Sequence, residues 1–276
     1  MTDPMTVMLN DGRTMPQLGL GVWRTAQDEA ASVVQTALDA GYRSIDTAAI
    51  YGNEEGVGAG LKAAAVDRKD LFVTTKLWND RHGFDAALKA FDESLKRLEL
   101  QTVDLYLIHW PKPSQDLYVD SWRALVRLKQ EGRALSIGVS NFEPEHLERI
   151  IGETGVIPAV NQIELQPSFQ QTRLRAVHAK HGIQTESWSP LGQGQLLSDP
   201  VIGRIAAKHG KSPAQAIIRW HLDNGLIVIP KSSNPARIRE NIAVFDFKLD
   251  AEDLAALAAL DTPGGRIGPD PMNAPF

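Results

Sequence analysis

Four side chains in this sequence could do acid–base chemistry together. Asp46 follows Ile45, Lys76 follows Val73-Thr74-Thr75 and His109 follows Leu107-Ile108, so three ionisable residues each end a different buried strand. A lysine at the end of a buried strand is costly to desolvate unless a carboxylate lies near, and Asp46 is the obvious counter-ion. Tyr51, on the loop just past Asp46, can supply an acidic O–H to the same pocket. Taken singly, Asp46 could be a strand-end cap and His109 a rim residue, but Lys76 resists so plain an account. Such a set could deliver a proton to a developing alkoxide, or, with Lys76 as nucleophile, form a Schiff base with a carbonyl compound.

The elements that must hold these groups alternate between strand and helix. Candidate strands end at Asp46, Lys76, His109, Asn141, Gln162, Ser189 and Lys231, preceded by Leu18-Gly19-Leu20-Gly21-Val22. Runs such as Leu105-Tyr106-Leu107-Ile108 and Leu226-Ile227-Val228-Ile229 are apolar on both faces, as parallel strands covered by helices are. Between them, Ala30, Val33, Val34, Ala37, Leu38 and Ala87, Leu88, Phe91, Leu95, Leu98 recur at helical spacing. Eight such repeats, with no second pattern, predict an α/β fold, a closed (β/α)8 TIM barrel rather than an open doubly wound sheet. In that architecture the C-terminal strand ends form the active-site face, so Asp46, Lys76 and His109 should be neighbours.

Ahead of the barrel, Thr6 to Met15 reads as a β-hairpin, because Asp11-Gly12 supplies the positive φ of a tight turn. Pro144 and Pro213 sit where a first helical turn tolerates a missing N–H. Gly56, Gly58 and Gly60, each costing roughly 1 kcal/mol in a helix, weaken the helix expected over Asn53 to Leu61.

With 276 residues, 43% of them hydrophobic and 23% charged, the chain has ample material for a core. No linker-like stretch interrupts it, so a single barrel domain is expected over residues 1–276, with an irregular tail at 262–276. The net charge of -5, with signs interspersed, lacks the basic stripe of a nucleic-acid binder. Cysteine is absent, which excludes disulfides and thiol nucleophiles. Met1 to Leu9 has neither the basic nor the apolar region of a signal peptide, and no apolar run reaches a membrane span of ~18 residues. A cytoplasmic protein with no membrane partner is expected, and a monomer. His82, His146, His178, His181, His209 and His221 show no ligand spacing shared with carboxylates, so they read as surface or packing residues and no metal is expected.

Longer blocks around these residues carry a family likeness. Gly41-Tyr42-Arg43-Ser44-Ile45-Asp46-Thr47-Ala48 with Tyr51-Gly52-Asn53-Glu54, Ser136-Ile137-Gly138-Val139-Ser140-Asn141-Phe142, and Ile229-Pro230-Lys231-Ser232 together resemble the signature of the aldo-keto reductases. Leu77-Trp78-Asn79-Asp80-Arg81-His82 and Trp188-Ser189-Pro190-Leu191-Gly192-Gln193-Gly194 resemble, within that family, the bacterial 2,5-diketo-D-gluconic acid reductases. The resemblance implies reduction of a small-molecule carbonyl substrate by NADPH with a catalytic tetrad of Asp46, Tyr51, Lys76 and His109. Tyr51 would be the general acid, Lys76 would depress its pKa, Asp46 would hold the lysine and His109 would orient the carbonyl. It further implies that Ser140, Asn141 and Gln162 hold the nicotinamide amide, that Trp188, with Ser189 and Leu191 beside it, flanks the ring, and that Lys231, Ser232, Arg237, Glu240 and Asn241 hold the adenosine end. Trp23, Trp78, His109, Trp110 and Gln193 would line the substrate pocket, and the Gly- and Pro-rich tail from Thr262 would fold over its opening. One departure is visible: where many members carry a histidine, Glu164-Leu165 leads here to Gln166-Pro167, which puts the detail of that loop in doubt.

The substrate is left open among keto-sugar acids, diketones and aldehydes, with methylglyoxal detoxification as an alternative. A Schiff-base aldolase would leave Tyr51, Trp188 and the residues from Lys231 to Asn241 without roles, and a non-catalytic relative would have no use for Tyr51, Lys76 and His109 together. Gly56-Val57-Gly58-Ala59-Gly60 lacks both the preceding strand and the spacing of a dinucleotide loop.

Overall fold

The computed structural model describes residues 5–276, so the N-terminal reading falls partly, over Met1 to Pro4, outside the described residues. Strands β1 (Thr6–Met8) and β2 (Thr14–Pro16) pair antiparallel as the expected hairpin. Its buried Leu9 and Met15 join Phe72, Leu105, Leu107, Ala159, Val160 and Ile227 in one apolar cluster. Phe72, Val160 and Ile227 begin their strands, so the hairpin closes the N-terminal end of the barrel.

Eight parallel strands follow in sequential order: β3 (Leu20–Gly21), β4 (Ser44–Asp46), β5 (Phe72–Leu77), β6 (Val103–Ile108), β7 (Ala134–Ser140), β8 (Val160–Glu164), β9 (Gln184–Trp188) and β10 (Ile227–Val228). Bridges Leu18 to Val228 and Gly21 to Lys231 join the first strand to the last, which closes the (β/α)8 barrel. Side chains alternate: Ile45, Val73, Tyr106 and Ile137 pack outward against helices, while Asp46, Lys76 and Gln162 point into the barrel's upper end. Strand ends fall within a few residues of expectation. His109, Asn141 and Ser189 sit just past their strands, β8 continues through Gln162 to Glu164, and Lys231 is joined by an isolated bridge.

Around the sheet run α1 (Gln27–Ala40), α2 (Glu54–Ala63), α3 (Phe84–Leu98), α4 (Tyr118–Gln130), α5 (Pro144–Thr154), α6 (Thr172–His181), α7 (Pro200–Lys208), α8 (Pro213–Asp223), α9 (Pro235–Ile242) and α10 (Ala251–Ala258). Pro144 and Pro213 stand at the first helical position, and Ser212 with Gln215 forms a capping box on α8. The helix weakened on paper by its glycines forms as α2, and packing explains why. A Cβ on Gly56 would come 2.3 Å from the Gln27 carbonyl oxygen, and one on Gly58 would come 2.4 Å from that of Leu98. The bare backbone lets α2 lie directly against α1 and the end of α3.

Among the described residues no helix is long and apolar enough to cross a membrane, and no three His, Asp or Glu side chains gather as a metal site would. His82, His146, His178 and His221 are buried. Asn161 Nδ2 donates to His178 Nε2 at 2.8 Å, which fixes the proton on Nδ1 to face the Thr185 hydroxyl, also at 2.8 Å.

Candidate active site

Asp46 and Lys76 stand on adjacent strands, β4 and β5, and Tyr51 on a short 3-10 turn, Ala49–Tyr51, that Gly52 ends with φ 66°. Each hydrogen of the Lys76 ammonium has an acceptor: Asp46 Oδ1 at 2.5 Å, the Thr47 carbonyl at 2.9 Å and the Tyr51 hydroxyl oxygen at 3.5 Å. The pair is wholly buried, with Lys76 at 0% and Asp46 at 3% side-chain exposure. Burial alone would lower the lysine's pKa, but Asp46 above all, with Tyr51, reverses it, and the pKa ends raised. The His109 ring meets those of Tyr51 and Trp78 edge-on, with centroids 5.6 and 5.2 Å apart.

Lys76 does act to lower the Tyr51 pKa, but burial of the phenol is the larger effect and Asp46 adds to it, so the pKa is raised rather than lowered as expected. Burial, with Lys76 second, holds His109 well below the usual histidine range, so its ring is neutral at neutral pH.

Asp46, Tyr51 and His109 open onto a cavity of about 450 Å³ at the C-terminal strand ends, while Lys76 is wholly buried beside them. Trp23, Trp78, Trp110, Trp188 and Gln193 line it, as do Asn141, Gln162, Ser189 and Lys231. Trp188 Nε1 donates to Asn141 Oδ1 at 2.8 Å, and Asn141 Nδ2 donates to the His109 carbonyl at 2.9 Å and to Ser140 Oγ at 3.0 Å. Ser140 Oγ donates to the Gln162 carbonyl at 2.7 Å, so Ser140 lies behind the wall. Leu191 packs against the core. Ser232, Arg237, Glu240 and Asn241 lie on and just before α9, whose cap Asn234 accepts the Ala236 and Arg237 N–H groups; Arg237 is exposed and Asn241 buried.

The tail, irregular from Thr262 on, crosses this opening. Glu164 at the end of β8 accepts from the N–H groups of Ile267 at 2.6 Å and Gly268 at 2.8 Å. Gln166 Nε2 donates to Glu164 Oε1 at 3.1 Å and to the Gly265 carbonyl at 2.9 Å. Gly268 has to be bare, since a Cβ there would lie 2.5 Å from the Trp188 ring. The tail ends with Phe276 against Trp78 and Trp110, centroids 5.5 and 5.0 Å apart.

Sequence reasoning missed Arg24, Ile50, Glu164, Glu186, Pro269 and Phe276. Arg24 lines the cavity, its guanidinium 4.1 Å above the Trp23 ring. Glu164 and Glu186 left a signal: each is an acid on the inward face of a strand, two residues from Gln162 or Trp188, where an apolar side chain is the ordinary choice.

Residues 15–262 match the model of the Aldo/keto reductase family. The chain belongs to that family. An aldo-keto reductase of Mycolicibacterium smegmatis is 56% identical over 270 residues, 98% of each chain. Methylglyoxal reductase DkgA of Escherichia coli is 55% identical over 273 residues, again 98% of each. A crystal structure of a Gox0644 mutant in complex with NADPH superposes with TM-score 0.96 at 58% identity, covering 99% of this chain and 100% of that one. This aldo/keto reductase thus shares fold and length with enzymes named for carbonyl reduction.

Proposed function

We propose that the chain is an NADPH-dependent reductase of small aldehydes and ketones in which Tyr51 protonates the carbonyl oxygen. The observation that carries this reading is the chain of contacts from Asp46 through Lys76 to the Tyr51 hydroxyl at the floor of an aromatic cavity. The residues fit the cofactor. Gln162 reaches the cavity with an amide oxygen that has no partner among the described residues, Trp188 offers a flat wall, and Arg24 and Lys231 bring positive charge to the mouth. Ser189 lines the cavity beside Trp188, and Leu191 packs against the core next to it. Lys231, Ser232, Arg237, Glu240 and Asn241, about the start of α9, take the adenosine end, where the helix dipole and Arg237 favour an extra phosphate.

Bound NADPH supplies a hydride to the carbonyl carbon, leaving negative charge on the oxygen. Tyr51 gives that oxygen its proton; an alkoxide is a far stronger base than a phenolate, so the raised phenol pKa does not block the transfer. Lys76 lies against the phenolate oxygen so formed, and Asp46 keeps the lysine charged and placed. Neutral His109 donates one hydrogen bond to the carbonyl and orients it. A Schiff-base role for Lys76 is disfavoured, because a charged ammonium with three acceptors has no free electron pair.

In this reading the protein is a monomer that works as one domain in the cytoplasm without nucleic acid, since the cavity is lined by residues of a single chain. Keto-sugar acids, diketones and aldehydes fit this chemistry; the likeness to DkgA, with Phe276 narrowing an aromatic pocket, favours small oxo-aldehydes such as methylglyoxal as a second reading. Tryptophan fluorescence should be quenched by NADPH, and a panel of these carbonyls should drive loss of NADPH absorbance. NADPH binding with no oxidation by any of them would overturn the proposal.

A further inference from the structure

Beneath the proposed tetrad lies a second carboxyl. Glu186 on β9 is fully buried, in register with Gln162 on one side and Ile227 on the other. Gln162 Nε2 donates to Asp46 Oδ2 at 2.8 Å and to Glu186 Oε2 at 2.9 Å. Glu186 Oε1 has no partner among the described residues.

Two inventories decide what this carboxyl does. The first is of hydrogens. Both carboxyl groups accept from the NH₂ end of Gln162, so Asp46 and Glu186 together hold the amide with its Oε1 left as an acceptor at the cavity. Without Glu186 the amide is held by Asp46 alone and is free to swing. The second inventory is of charge. The charged or titratable groups that act on Glu186 are Asp46 and Lys76; Tyr51 also lies within reach, while Gln162 and Ile227 contribute none. Lys76 is the one cation among them, and its hydrogens go to Asp46, Thr47 and Tyr51. An ionised Glu186 would give the site a second anion without a second cation.

We propose that Glu186 is a positioning residue of the reductase proposed above, which holds Gln162 with its acceptor oxygen toward the cofactor and carries a proton that keeps the site neutral. Burial first, and Asp46 next, push its carboxyl up to about 8. Above that pH the new anion raises the Tyr51 pKa further, so the phenol keeps its proton but gives it up less readily as charge develops on the carbonyl oxygen. Carbonyl reduction therefore loses rate on the basic side through Glu186 before the phenol itself titrates.

The test compares wild type with E186Q, an uncharged isostere of the protonated acid, and with E186A. One readout needs no turnover. Between about pH 5 and 8 the unfolded chain has released this proton and the folded chain has not, so wild type loses stability with rising pH where E186Q does not. The difference in Tm should widen across that window and then level off. In turnover, the basic limb of the kcat–pH profile should move to higher pH in E186Q. In E186A, the Kd for NADPH from fluorescence quenching should rise about tenfold as the Gln162 amide loses its second anchor. Should E186A not fold, E186Q decides. A Tm difference constant with pH, or an unmoved basic limb, would overturn the inference. Failure of the wild type to reduce any carbonyl would instead sink the reductase reading, and the Tm comparison would still report the buried proton.

Discussion

Lys76 has no hydrogen to spare, and that limits what every neighbour can be. Its ammonium binds Asp46, Thr47 and Tyr51, so the charge in the pocket is fixed in place and aimed at one phenol. His109, held neutral by burial, keeps a donor's role without an acid's. Aromatic side chains finish the site: Trp78 touches both His109 and Phe276, and Trp110 touches Trp188 and Phe276. Trp78→Ala should remove a wall of the pocket without touching the residues assigned to the cofactor. We expect KM for bulky carbonyls to rise by about tenfold, in line with loss of one well-packed aromatic contact, while the Kd for NADPH stays within about twofold. Unchanged KM across a substrate panel would remove Trp78 from the pocket.

The turn that carries Tyr51 is held by α2, and α2 is placed by its glycines. Glu54 in its first turn accepts from Thr75 Oγ1 at 2.6 Å and from Arg97 Nε at 2.7 Å, tying the helix to β5 and α3. Gly58→Ala gains helix propensity but drives a methyl into the Leu98 backbone, and should destabilise the fold by about 1–3 kcal/mol. The same change at exposed Gly152 in α5, where nothing lies within 4 Å of the new Cβ, should stabilise by up to about 1 kcal/mol. Denaturant melts of the two variants check the opposite signs. This contrast also marks where sequence legibility stops. Helical spacing placed α1 and α3 because one face of each is apolar, but glycines read locally as a weakness of α2, since the carbonyls they approach belong to other helices. Asp46, Lys76 and His109 were legible because a charged group at the end of an apolar strand stands out. The inward Glu164 and Glu186 carried a signal as acids within strands, but their partners became visible only once the barrel brought β8, β9 and the tail together.

At the scale of the whole molecule, the barrel keeps a closed apolar floor under the N-terminal hairpin and a polar upper end under a tail. The middle of the tail is held by its Ile267 and Gly268 N–H groups on one carboxylate, Glu164, so Glu164→Ala should release that stretch while the barrel stands. Hydrogen exchange at Ile267 and Gly268 should quicken by more than about tenfold and specificity constants should shift toward bulkier carbonyls, with Tm nearly unchanged. Unchanged exchange would show that the tail is held instead by Phe276 and by Arg266, which lies 4.8 Å above the Phe169 ring and 3.7 Å from the Glu143 carboxylate. Floor, strands and tail all serve a proton delivered from Tyr51, and the most direct measurement of that claim is the kinetics of Tyr51→Phe, which keeps the ring and removes the hydroxyl. NADPH should bind nearly as before, while kcat falls by at least the ~100-fold typical of losing a general acid. A variant that kept most of its kcat, with an isotope effect from deuterated NADPH showing hydride transfer to be rate-limiting, would contradict the account and pass the role of proton donor to His109.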